Sequence, residues 1–113
     1  MPGQIDTILQ SFLSRVKGKD NLLLFSALRE FCEQDESFLI LLRQLVAKNI
    51  NLVINTIPGL AVFIAGKKII NLHPDLLIML QNANAGKLEL DAKSTLKLMI
   101  THEATHAAHI PQY

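Results

Sequence analysis

The stretch Leu96-Lys97-Leu98-Met99-Ile100-Thr101-His102-Glu103-Ala104-Thr105-His106-Ala107-Ala108-His109-Ile110 decides how the rest of the chain is read. From Ala92 to His109 there is no glycine or proline, and Pro111 supplies the stop. Asp91 is a suitable N-cap, so a helix is expected from there to His109. On such a helix His102 and His106 share one face, about 6 Å apart along the axis, so both imidazoles can point at one ion. Glu103 falls about 100° further round, off the ion but beside any water bound to it. Zinc held in this way lowers the pKa of its water to about 7 and polarises a carbonyl. A carboxylate at position 103 can take that water's proton and pass it to a leaving amine.

Outward from this stretch, the chain has 113 residues, enough for one real core. No repeat, low-complexity tract or linker divides it, so residues 1–113 are read as a single domain. Half of the residues are hydrophobic, and the net charge is +1 with the basic residues scattered; no nucleic-acid partner is expected. Apolar runs such as 38–42 are too short to span a bilayer. The first residues lack a basic segment followed by an apolar one. Neither a membrane partner nor a signal peptide is therefore expected. Cys32 is the only cysteine. A chain without an internal disulfide fits a reducing compartment, and the expected location is cytoplasmic.

In the N-terminal half, Ile5, Ile8, Leu9, Phe12, Leu13 and Val16 recur at helical spacing, predicting a helix over 4–17 closed by Gly18. Asp20 is expected to cap a second helix over 21–32, with Leu24, Phe25, Leu28 and Phe31 inward. Asp35 is expected to cap a third, to about Lys48, with Phe38, Leu41, Leu42 and Leu45 on one face. At Asn49 the character changes. Residues 50–57 are rich in β-branched side chains and end at Pro58-Gly59; 60–64 and 68–72 read as two more short strands around Ala65-Gly66-Lys67. Connections this short predict a three-stranded antiparallel meander. Pro74 opens a short helix to about residue 84, Gly86 ends it, and 87–90 reads as a connector or a scrap of strand. The fold class is α+β. Cys32, Met79 and Met99 are assigned to the core, Glu30 and Glu33 to the solvated surface, and the Thr105 hydroxyl to the carbonyl one turn back.

This order of N-terminal helices, meander and His102-Glu103-x-x-His106 helix resembles the core of the zincin metallopeptidases, and in size it is similar to the minigluzincins. The resemblance covers about residues 36–109. It implies zinc-dependent hydrolysis of peptide bonds, with zinc on His102 and His106, Glu103 as general base, and a peptide or protein as substrate. It also implies an edge strand above the motif helix that takes the substrate as an added strand. Lys68-Ile69-Ile70-Asn71-Leu72 is the expected counterpart.

A catalytic zinc takes three protein ligands. The glutamate that gluzincins place on a downstream helix has no counterpart in the seven residues after His106. In the metzincin extension, His109 stands at the glycine position and Gln112 at the third histidine position. Four substitutes remain. His109, taken as the third ligand, lies about 10.5 Å from His102 along a regular helix and comes within reach only if the helix unwinds after His106. His73 ends the presumed edge strand. A second subunit could supply a group. The Tyr113 carboxylate could fold back, which would also block the water site and leave the enzyme latent. The alternative function is a non-catalytic metal-binding or interaction domain of the same fold; a helical interaction protein without metal comes third. A free strand edge and a high apolar fraction make a homo-oligomer plausible.

Overall fold

The structure, a computed structural model, describes residues 2–82 and 87–109. Its elements in chain order are α1 (Pro2–Phe12), α2 (Gly18–Gln34), α3 (Glu36–Ala47), β1 (Asn51–Ile54), β2 (Ala61–Ile64), a single 3₁₀ turn (Ala65–Lys67), β3 (Ile69–Leu72), α4 (Pro74–Asn82) and α5 (Lys87–His109). The α+β class is as expected from the sequence.

The helical half follows its apolar spacing, with shifted ends. Ile8, Leu9 and Phe12 are buried on α1. The helix stops at Phe12 rather than Lys17, because the Asn21 side-chain amide donates to the carbonyls of Leu13 (3.1 Å) and Val16 (2.9 Å) and satisfies the helix end early. Gly18, at φ +64°, turns the chain straight into α2, so Asp20 lies in the first turn instead of at the cap. Asp35 caps α3 as expected: its carboxylate accepts from the backbone N–H of Ser37 (2.9 Å) and Phe38 (3.4 Å). α3 ends on Asn49 in the left-handed conformation, with the Ile50 N–H donating to the Leu45 carbonyl across the turn.

The sheet differs from the predicted meander. Strand order is β1-β3-β2: β3 pairs parallel with β1 (Asn51 opposite Ile69) and antiparallel with β2 (Ala61 opposite Leu72). Only β2 and β3 form the tight hairpin. The link from β1 to β2, residues 55–60, needs to cross only two strand spacings, about 9.6 Å, so it can skip a position and leave room for β3. All four residues of β3 are buried, as a central strand requires. The segment 68–72 is therefore not an edge strand; among the described strands the edges are β1 and β2.

One face of the sheet, with Leu52, Ile70 and Leu72 fully buried, joins a common core with Phe12, Leu28, Phe38 and Leu45. α3 packs against α1, α2 and α5, and α5 also lies against α4 and β2. α5 begins at Lys87, not at Asp91. Lys87-Leu88-Glu89-Leu90 are good helix formers, and extending a helix adds one hydrogen bond per residue fixed, so the expected connector is helical. Met79 is 40% exposed rather than core, while Met99 packs against the core.

Candidate metal centre

The rotation of α5 is set by a buried stripe: Ala92, Leu96, Ile100, Ala104 and Ala107 recur at helical spacing and face the core. Alanines at the motif end let α5 approach its neighbours closely. Lys48, at the end of α3, donates from Nζ to the carbonyls of Ala108 (2.9 Å) and Ala107 (3.4 Å), tying down the last turn. The Thr105 hydroxyl donates to the Thr101 carbonyl at 2.7 Å, as expected.

With that face inward, His102 and His106 face outward. Their rings sit edge-to-face at 4.6 Å between centroids, and the two Nε2 atoms are 3.2 Å apart. A tetrahedral ion with bonds of about 2.0–2.1 Å sets two ligand nitrogens about 3.3 Å apart. The separation therefore matches the distance between two corners of one coordination sphere. When no ion is bound, the same separation lets one imidazole donate its proton to the other.

Glu103 points toward β2. Its side chain is 14% exposed, against 62% for His102. Oε1 accepts the backbone N–H of Phe63 at 2.9 Å, while Oε2 lies 3.9 Å from His102 Nε2. One carboxylate oxygen is thus anchored on an edge strand and the other is turned toward the histidines. The sequence identified Glu103 but not Phe63. Its main-chain N–H has no side-chain signature, and finding it required seeing that the run Ile69-Ile70-Asn71-Leu72 belongs at the centre of the sheet, with β2 beside α5.

Among the described residues no third donor joins the pair. His73 does not join the pair: its Nδ1 accepts the Asp75 N–H at 3.0 Å, capping the start of α4. α5 stays helical to His109, so the unwinding that His109 would need is not seen; its side chain, like Tyr113, lies outside the described residues. Cys32 is buried on α2, and its thiol is pushed up to about 11 by burial first and then by the nearby Glu33 and Asp35 charges. The thiolate that a metal or an electrophile needs is therefore withheld. Among the described residues, no group of three or more His, Cys, Asp or Glu side chains is gathered to hold a metal ion. The spacing of His102 and His106 suits two donors to one zinc; the three-donor set of a hydrolytic zinc is not formed by the described side chains.

Fold and site together define an α+β protein with an exposed histidine pair on its last described helix. Comparison with protein-family models, curated proteins and solved structures finds no match. No helix among the described residues is long and apolar enough to cross a membrane.

Proposed function

We propose that this chain is a metal-binding domain that takes a divalent transition-metal ion, zinc foremost, on His102 and His106. The 3.2 Å separation of the two Nε2 atoms carries this reading. Imidazole suits zinc, copper and nickel, and a pair on one helix face at this separation can reach one ion. An ion bound only by the folded chain stabilises it, by about 2.7 kcal/mol when free ion is about 100 times Kd. Zinc is expected to raise the Tm of the metal-free protein in a concentration-dependent way, and His102→Ala is expected to abolish the rise. A Tm that zinc leaves unmoved in the wild type would sink the proposal.

Peptide hydrolysis is the second reading, and the placement of Glu103 favours it. With Oε1 held by the Phe63 N–H, Oε2 is oriented toward the histidine pair, where a general base belongs. Bound zinc would supply Lewis-acid polarisation and a more acidic water. Glu103 would accept a proton and return it to the departing amine. The strand available to a substrate is then β2, not the segment 68–72. Zinc-loaded wild type is expected to cleave an unstructured protein and Glu103→Ala to lose about 10²-fold or more, the contribution typical of a positioned base; equal traces from both proteins would leave the binding domain as the standing function.

A further inference from the structure

The histidine pair offers two nitrogen donors, half the number a tetrahedral ion takes, and the exposed face around it is uncharged. The solvent-facing stripe of α5 between Ser94 and Ala108 consists of Ser94, Leu98, His102, Thr105 and His106. None of these carries a formal charge when the imidazoles are neutral, the form in which they bind metal. The charged residues of the same stretch are turned elsewhere: Lys97 pairs with Asp35 at 3.1 Å and Glu103 is held by β2; Lys93, just before the stretch, pairs with Glu30 at 2.9 Å. Leu98, one turn before His102, is 63% exposed and stands among the most exposed large apolar side chains of the described residues.

Resting on the metal-binding reading above, we infer that zinc at this site is shared by two copies of the chain related by a two-fold axis through the ion. A structural zinc is held by four protein donors. A two-fold axis converts one pair of Nε2 atoms into four, in an isologous contact where the same stripe faces itself. Two uncharged stripes can approach without mutual repulsion, and the ion's positive charge is met by the Glu103 carboxylate of each copy, whose Oε2 lies 3.9 Å from His102 Nε2. The two Leu98 side chains lie one turn from the ion, where apolar area adds to the contact. A partner chain of another kind would have to bring its own two donors to the same point; the second copy brings them by symmetry.

The experiment adds zinc ions alone to the metal-free full-length chain, from zero to two equivalents, following bound zinc by chelator competition and mass by sedimentation. The expected tight endpoint is half a zinc per chain, with the mass rising to that of two chains and returning to that of one on adding a chelator. His102→Ala, a change at an exposed position, is expected to lose both effects. Leu98→Asp touches no ligand and is expected to weaken the zinc-dependent association at least tenfold. One zinc per chain at the mass of a single chain would overturn the shared site and leave the two-histidine chelate standing. No bound zinc would overturn both. A dimer that forms equally without zinc, or one that Leu98→Asp leaves unchanged, would also overturn the shared site.

Discussion

At the scale of single residues, the side chain least explained by packing is Asn71. It stands in the centre of β3, 4% exposed, opposite Val53 on one side and Val62 on the other, and its Oδ1 has no hydrogen-bond partner. A buried carbonyl without a partner costs about 1–3 kcal/mol. Its strand neighbours Ile69, Ile70 and Leu72 are all buried and apolar. Asn71→Leu keeps the length of the side chain and removes the orphaned group, so the expected outcome is a gain of about 1 kcal/mol in urea denaturation. A loss of similar size would mean that the amide has a partner in solution, such as an ordered water. Glu103 is the instructive contrast. It too is polar and largely withdrawn from solvent, but its Oε1 is satisfied by a backbone N–H that an edge strand would otherwise leave open.

At the scale of elements, the junction between α2 and α3 is held by one carboxylate doing two jobs. Asp35 caps α3 through Oδ1, and its Oδ2 pairs with Lys97 Nζ on α5 at 3.1 Å. The Lys97 hydrogen bond, foremost among several causes, holds the Asp35 carboxyl below its ordinary value of 3.8. A carboxylate with a lowered folded-state pKa stabilises the fold above its unfolded value, and that stabilisation is lost as pH falls through the folded value. Stability is therefore expected to decline below about pH 4 partly through this group, and Asp35→Asn is expected to flatten that part of an acid-denaturation curve without changing the curve near neutrality as steeply as Asp35→Ala. Asp35 is also where the sequence was most readable, since a cap acts on the next two or three residues and leaves a local signature. The helices, the strand-rich middle and the outward pair His102 and His106 were readable for the same reason: each rests on spacing within one element. What was not readable depends on distance. Strand order turns on whether a six-residue link skips a position, and the start of α5 turns on propagation overriding the cap signal of Asp91. Whether a third donor stands beside the two histidines is a spatial matter that their spacing does not determine, and among the described residues none does.

At the scale of the whole molecule, the histidine pair rides on a helix fixed at both its core face and its flanks. Leu96, Ile100 and Ala104 have no exposed surface, and polar ties reach α5 from α2 (Glu30 to Lys93), from the α2–α3 junction (Asp35 to Lys97), from α3 (Lys48 to the last carbonyls) and from β2 (Phe63 to Glu103). A site on so constrained an element should respond to metal locally rather than by refolding, and this can be measured as an additivity. Leu96→Ala removes a fully buried side chain and is expected to cost about 2–5 kcal/mol. That is a large part of the about 5–15 kcal/mol available to a typical domain. His102→Ala removes an exposed ring and is expected to change metal-free stability by no more than about 0.5 kcal/mol. Leu96 lies six residues, about 9 Å along the axis, from His102, beyond direct contact. If the helix is held as described, the stabilisation that zinc confers on Leu96→Ala should match that on the wild type within about 0.5 kcal/mol, measured by urea denaturation with and without the ion at fixed protein concentration. A markedly smaller increment would mean that core packing around Leu96 sets the 3.2 Å spacing of the histidines, and that the chelate is a property of the folded assembly rather than of helix geometry alone.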